Sequence, residues 1–173
     1  MAAYRIIADG TRDFQLLAAD GTALAALHYS EWFSFKAVAT LADGSSFRLE
    51  PKGFWGTTIE LKDQDKVLLN FKMNWDGNII IKSRLDDGNQ AFVFKSKSMR
   101  KGEYALRGRN EQELLVVKPD FQWSKLNYNY TLTSTEELEA SDSKVLLLLT
   151  VLHCANYYMT MMSSAVTTII AVS

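Results

Sequence analysis

The sequence has few of the residues from which disulfides, metal sites and common active sites are built. Cys154 is the only cysteine, and His28 and His153 are the only histidines. A single thiol excludes an intrachain disulfide and a thiolate zinc site. His153 and Cys154 are adjacent, and neighbours on a helix point about 100° apart, which does not suit a nucleophile and its base. No GxSxG, P-loop, HExxH or GxGxxG motif occurs. We therefore predict a non-enzymatic protein that needs no cofactor or metal.

Charge of either sign is not in excess, because the formal net charge is −1. A general nucleic-acid binder usually has a clear basic excess, so nucleic acid is not an expected partner. A length of 173 residues suits one domain, 1–173, with a sizeable core. The opening MAAYRIIADG has no long apolar run typical of a signal peptide. We expect a cytoplasmic protein, with membrane association left open.

Charge is missing altogether from the end of the chain. Val145 to Ser173 contain no Asp, Glu, Lys or Arg, although 23% of the whole chain is charged. This stretch exceeds the roughly 20 apolar residues that a membrane-spanning helix needs. Its location, in lipid, in a partner or inside the protein, is the main question that the sequence raises.

Before this tail, turn signals recur at a nearly regular spacing. Asp-Gly pairs, which suit tight hairpins, begin at Asp9, Asp20, Asp43, Asp76 and Asp87. The segments between turns alternate as strands do: Tyr128, Tyr130 and Leu132 share one face, and the run Phe33–Leu41 follows the same rule. Turns every 8–12 residues or so indicate a sandwich or barrel of consecutive hairpins. We predict an all-β domain of roughly twelve antiparallel strands.

The tail itself is predicted to be helical. Ser134 and Glu137 have capping-box spacing, which predicts a helix from near Ser134 to about Met162, within a helix-and-tail region 134–173. Leu146 to Leu149 cover every direction around its axis, as in a helix that is enclosed or that spans a membrane. His153 and Asn156 are costly in mid-bilayer. A barrel of about twelve strands is wide enough to need a filling. We favour a helix enclosed by its own barrel; a membrane anchor is the main alternative, and a helix exchanged with a partner is a third.

About twelve antiparallel strands followed by one hydrophobic C-terminal helix resemble the tubby C-terminal superfamily, which includes phospholipid scramblases and plant LURP-one-related proteins. The resemblance is architectural and covers the whole chain. It implies that the last helix threads the barrel. It assigns no functional residue to this sequence.

One segment, Phe94 to Arg109, is strongly basic. If it forms a hairpin, six cations lie on it and suit an anionic lipid headgroup or an acidic membrane surface. These are Lys95, Lys97, Arg100, Lys101, Arg107 and Arg109. The ordinary explanation is a solvated outer face or a lysine-protected edge strand, and the residues alone favour it.

Aromatic residues cluster near the predicted turns. They are Trp32, Phe33, Phe54, Trp55, Trp75, Phe121 and Trp123. Exposed tryptophan beside lysine suits a membrane interface. Large residues at strand ends are more often part of a barrel core or its end-caps, which is the interpretation we favour.

The function predicted from these patterns is a non-enzymatic binding module, with anionic membrane lipid as the candidate partner of the basic hairpin. The alternative is a tail-anchored protein with a cytosolic β-domain. A carrier of a small apolar ligand is disfavoured, because the helix would occupy the space that the ligand needs.

Overall fold

Twelve strands form one closed antiparallel barrel in the computed structural model of the protein. The structure describes residues 1–31, 34–54, 56–124 and 126–172, with side chains no further than Met162. The strands are β1 (Ala2–Asp9), β2 (Asp13–Ala18), β3 (Ala23–Tyr29), β4 (Ala37–Leu41), β5 (Ser46–Lys52), β6 (Thr58–Asp63), β7 (Lys66–Met73), β8 (Ile79–Ser83), β9 (Gln90–Ser98), β10 (Glu103–Arg107), β11 (Glu113–Gln122) and β12 (Asn127–Ser134). A short 3-10 turn occupies Leu85–Asp87, and two helices follow the strands, α1 (Glu136–Glu139) and α2 (Lys144–Val172).

Each strand pairs with its neighbours in the sequence, and the barrel closes between its first and last strands. Tyr4 of β1 lies opposite Leu132 of β12 in this closing pair. Closure removes exposed strand edges. The predicted barrel of about twelve antiparallel strands is confirmed.

Alternating apolar residues fill the barrel, as the period of two predicts. In β1, Tyr4, Ile6 and Ala8 point inward and are buried, and in β12 Tyr130 and Leu132 do the same. Gly44 takes φ 89 in its hairpin turn, a conformation that glycine adopts without steric cost. The Asp87-Gly88 pair is an exception, since Gly88 is extended after the 3-10 turn.

One predicted strand is too long. The structure begins β4 at Ala37 rather than at Phe33, because Phe35 adopts φ 52 and interrupts the extended backbone. The ring of Phe35 nevertheless points toward the core and packs on Tyr157 of α2, with 4.6 Å between ring centroids. Phe33 lies outside the described residues.

A single helix was predicted from near Ser134 to about Met162, and both of these bounds are wrong. Ser134 still belongs to β12, a one-turn α1 follows, and α2 runs from Lys144 to Val172. The Ser134 hydroxyl does not cap a helix; it donates instead to the Ala2 carbonyl and to Glu139. A break is needed because the chain must turn from the barrel wall into its interior.

The helix α2 is the central filling of the barrel. Its residues from Leu146 to Ala155 are all buried, and so is Tyr157. By length and composition, Lys144–Met162 is sufficient to cross a membrane, but 61% of the relevant window is buried inside the protein. The prediction of a hydrophobic helix enclosed by its own barrel is therefore confirmed.

The barrel has two distinct ends, which we name by the path of α2. At the entry end, Lys144 begins the helix beside Glu139 and Tyr4. At the exit end, Tyr158 packs on Tyr104 at the start of β10. The entry-end connections are 19–22, 42–45, 64–65, 84–89, 108–112 and 135–143, and the exit-end connections are 10–12, 30–36, 53–57, 74–78, 99–102 and 123–126.

Candidate functional site

The connections at the two ends have opposite charge. By sequence, the entry-end connections contain ten acidic and two basic residues, whereas the exit-end connections contain two acidic and five basic residues. The five basic residues are Arg12, Lys36, Arg100, Lys101 and Lys125, of which Lys125 lies outside the described residues. The exit end therefore suits an anionic partner, and the entry end repels one.

The exit end also has most of the exposed large apolar side chains in the described part of the chain. In the exit-end connections these are Trp75 at 100%, Phe54 at 94%, Met99 at 93%, Trp123 at 82% and Leu126 at 69%. The helix adds Met161 and Met162, exposed at 38% and 49%. By sequence all four tryptophans fall in exit-end connections. The prediction that these aromatics are core or end-cap residues is wrong for Phe54, Trp75 and Trp123; Trp32, Phe33 and Trp55 lie outside the described residues.

The exposed apolar residues are neighbours around the barrel. Strands β5 to β12 follow one another in the sheet, so the connections 53–57, 74–78, 99–102 and 123–126 lie side by side at the exit end. We call these four connections the exit rim. At one side of the rim Trp123 packs edge-on against Phe121, with ring centroids 4.9 Å apart. The exit rim therefore presents exposed apolar side chains on successive turns at one end of the barrel.

The structure places the predicted basic hairpin on β9 and β10, but it does not bring its six cations together. Lys95 and Arg107 both contact the Glu111 carboxylate, at 3.3 and 3.4 Å, and Lys97 contacts Glu113 at 2.7 Å. Hydrogen bonding from Lys95 is the main cause that lowers the pKa of Glu111. These three cations are paired on the barrel wall.

The remaining three cations are divided between the two ends of the barrel. Arg100 and Lys101 occupy the turn of the hairpin in the exit rim, beside Met99 and near Trp75. Arg109 follows β10 and lies at the entry end. Within the described residues none of the three forms an ion pair. The part of the hairpin available to an anionic partner at the exit rim is therefore the Arg100-Lys101 turn.

A polar chain inside the barrel connects α2 to the wall below the exit end. Tyr130 donates to Asn156 at 2.7 Å, Asn156 donates to the Tyr29 hydroxyl at 3.0 Å, and Tyr29 lies 2.6 Å from Nδ1 of His153. In this arrangement Tyr29 donates to a neutral imidazole. The polar residues that disfavour a membrane position for α2 thus find partners on β3 and β12, as buried polar groups require.

The titratable members of this interior are held neutral. Burial lowers the pKa of His153 to about 3, against a weaker opposing effect of the Phe35 backbone. Burial also raises the pKa of the Cys154 thiol well above its usual value. A protonated, fully buried thiol is a packing residue rather than a nucleophile. Among the described residues no group of three or more His, Cys, Asp or Glu is arranged to hold a metal.

A second polar cluster fixes the start of α2 at the entry end. The Glu139 carboxylate accepts hydrogen bonds from Tyr4 at 2.8 Å, from Lys144 at 2.8 Å and from Ser134. Burial acts to raise the pKa of Glu139, but these hydrogen bonds outweigh it, and the pKa is lowered. Glu139 therefore joins the first strand, the last strand and the helix.

Sequence reasoning missed two features of these sites. Met99 and Leu126 were not recognised as part of an exposed arc, because strand order around the barrel brings their turns together. The pairing of Asn156 with Tyr29 and Tyr130 was also not predicted. One sequence signal could have indicated this pairing: the tyrosines face the interior of predicted strands, and the predicted helix contains polar residues.

Comparison with known proteins supports the fold. No protein-family model matches the chain, and no curated protein does either. A solved structure is similar: an X-ray structure of a protein from Arabidopsis thaliana, with a TM-score of 0.56 over 88% of this chain and 88% of that one. The sequences are 14% identical. At this identity the match shows a shared fold and nothing about activity.

Proposed function

We propose that the protein is a non-enzymatic binding module that docks on anionic membrane surfaces, at the cytoplasmic side, through the Arg100-Lys101 turn. We also infer that it belongs to the tubby C-terminal-like superfamily, close to the scramblase and LURP-one-related type. The closed twelve-strand barrel around a C-terminal helix supports the family assignment. The function rests on one observation in particular, the excess of basic over acidic residues in the exit-end connections, five against two by sequence, opposite an acidic entry end.

The electrostatic attraction expected for two basic residues is large enough for this turn to bind an anionic membrane surface. A basic residue near an anionic membrane surface contributes about 1 kcal/mol, and the effect decays within about 8–10 Å at physiological salt. Arg100 and Lys101 lie in a hairpin turn, where both reach the surface together, whereas Lys95 and Lys97 are neutralised on the wall. Ten acidic residues at the entry end orient the barrel with its exit end toward the membrane.

The alternative, a tail-anchored membrane protein, is the weaker candidate. A membrane span would take α2 out of the barrel and leave the interior without its filling. The same Leu146–Tyr157 segment does not serve as core and as membrane span at once. His153 and Asn156, which are paired inside the barrel, would also lose Tyr29 and Tyr130.

Vesicle flotation tests the proposal. We expect the full chain to float with vesicles of phosphatidylcholine and phosphatidylserine, and not with phosphatidylcholine alone at low salt. The double change Arg100→Glu and Lys101→Glu removes about 2 kcal/mol of attraction before any repulsion is counted, so binding falls by about 30-fold or more.

The matched control is Arg84→Glu with Arg109→Glu, which changes the net charge equally but at the entry end. Both side chains are exposed, so we expect the control variant to fold as the parent does. We expect this control to bind nearly as the parent does. Equal loss in both variants would mean that net charge alone matters, and equal binding of the Arg100/Lys101 variant and the parent would exclude the proposed site.

A further inference from the structure

The exit rim exposes more apolar surface than an electrostatic contact needs. Trp75 is fully exposed and Met99 nearly so, on adjacent turns. A collection of exposed large apolar side chains at one end of a soluble protein usually marks an interaction surface. The apolar and basic groups are interleaved, because Met99 directly precedes Arg100 and Lys101.

This combination fits the interfacial region of a bilayer. Tryptophan places an apolar ring and a polar N–H at the boundary between acyl chains and headgroups. Cations next to it remain at the level of the phosphates. A protein partner has a surface of fixed shape, to which the rim would have to be complementary. The rim instead presents side chains at the tips of four separate turns, and each of them can enter a fluid surface independently.

The path of α2 points to the same end. The helix leaves the barrel among these turns, exposes Met161 and Met162, and continues to Val172. By sequence no charged residue follows Lys144. By sequence, no charged side chain of the helix beyond Lys144 therefore opposes contact between this end and an apolar medium.

We propose that the exit rim inserts into the interfacial layer of an anionic bilayer, with Trp75, Met99, Trp123 and Leu126 as the inserted residues. The barrel then stands on its exit end, and the entry end faces the solvent. This inference rests on the proposed membrane docking and adds to it a specific depth and orientation.

Site-directed fluorescence measures both depth and orientation. Cys154 is fully buried, so a single introduced cysteine can be labelled selectively with a polarity-sensitive fluorophore on the folded protein. Ser124→Cys reports the exit rim, and Ser46→Cys, an identical replacement at an exposed position, reports the entry end. With phosphatidylcholine and phosphatidylserine vesicles, we expect a blue shift and quenching by brominated lipid at position 124 only.

A second pair of variants separates insertion from electrostatic attraction. Trp75→Ser with Met99→Ser removes exposed apolar surface and leaves every charge in place. Because each inserted side chain contributes part of its full burial energy, we expect vesicle binding to fall by on the order of tenfold and to become fully reversible in high salt. Val38→Ser, on the outer wall of β4, is the control and should bind as the parent does.

The outcomes distinguish this inference from the function on which it rests. If the parent binds no vesicles, both fail. If it binds in a manner that depends on Arg100 and Lys101 while position 124 stays in water, docking holds and insertion is overturned. A blue shift at both positions would overturn the upright orientation. A dimer in light scattering that Trp75→Ser with Met99→Ser abolishes, without vesicle insertion, would identify the rim as a protein interface instead.

Discussion

The two ends of the barrel differ in their side-chain contacts and in their charge. At the entry end, Glu139 gathers hydrogen bonds from Tyr4, Ser134 and Lys144, and acidic residues dominate the surrounding connections. At the exit end, Trp75 and Met99 are left exposed and the charge is basic. Side-chain hydrogen bonds therefore hold the helix where it enters the barrel, and apolar side chains are exposed where it emerges.

The difference indicates that α2 stabilises the fold through its first half and its middle and is exposed near the end of its described side chains. The first half of the helix is enclosed and fixed by Glu139, and its middle is paired through His153 and Asn156. Its described side chains become exposed only at Met161 and Met162. Changes near the entry end and the interior should alter folding, whereas changes at the exit rim should alter binding.

The largest effect is expected from truncation after Asp142, which removes α2. The lost core includes Leu146, Leu147, Leu148, Leu149 and Leu152. A buried leucine contributes about 1.5–3 kcal/mol, so the loss matches or exceeds the usual net stability of about 5–15 kcal/mol. We expect no cooperative thermal transition by circular dichroism.

The control is truncation after Met162, which keeps every helix side chain that is buried in the described structure. We expect its melting temperature to stay close to that of the full chain. A folded, cooperative product of the first truncation would show that the barrel does not need the helix. An unfolded product of the second would show that the exit end contributes to folding.

A smaller effect, of several kcal/mol at most, is expected from acid. The pKa of His153 is about 3 in the folded state and about 6.5 when exposed, so the unfolded chain binds the proton first. The stabilisation is complete above about pH 6.5 and is lost as the pH falls toward 3, with a limiting slope of about 1.4 kcal/mol per unit. Denaturant titrations at several pH values measure it.

His153→Gln keeps an acceptor for the Tyr29 hydroxyl and removes the titration, so its stability should vary little between pH 6.5 and the range where carboxylates begin to protonate. His28→Gln is the matched control, because His28 is exposed and contacts Asp13 on the surface. The hypothesis fails if the parent and His153→Gln have the same pH dependence over this interval.

The smallest effect, about 1–2 kcal/mol, is expected from Glu139→Gln. The change weakens charge-assisted hydrogen bonds from Lys144 and Tyr4 that are partly screened by solvent. Chemical denaturation should show lower stability with unchanged vesicle binding. Glu137→Gln, in the same short helix but outside this cluster, is the control, and an equal loss there would mean that Glu139 has no special role.

Much of the fold was predictable because it depends on local chemistry. The Asp-Gly turns and alternating residues such as those of Tyr128–Leu132 set strand number and direction. The break between α1 and α2 was not predictable, since the partners of Ser134 and Glu139 come from β1, far away in the sequence. The start of β4 was misplaced for a similar reason: Phe35 leaves the strand to pack on Tyr157.

The candidate site, like the fold, was predictable from the sequence only in part. The sequence singled out the cations of 95–109 and the aromatic residues near turns, but it did not determine which of them share a surface. Lys95 and Arg107 do not belong to the candidate site, because they pair with Glu111. Arg109 does not belong to it either, because it lies at the opposite end of the barrel. Strand order then places Trp75 next to the Arg100-Lys101 turn.

By itself, the sequence determined a barrel of consecutive hairpins and an uncharged helix that had to avoid water, because period, turn chemistry and the absence of charge act locally. Only the tertiary structure decided that the barrel encloses this helix, with His153 and Asn156 paired to the wall, and that one end collects the exposed apolar and basic residues. Those outcomes depend on closure between β1 and β12, which no local pattern specifies.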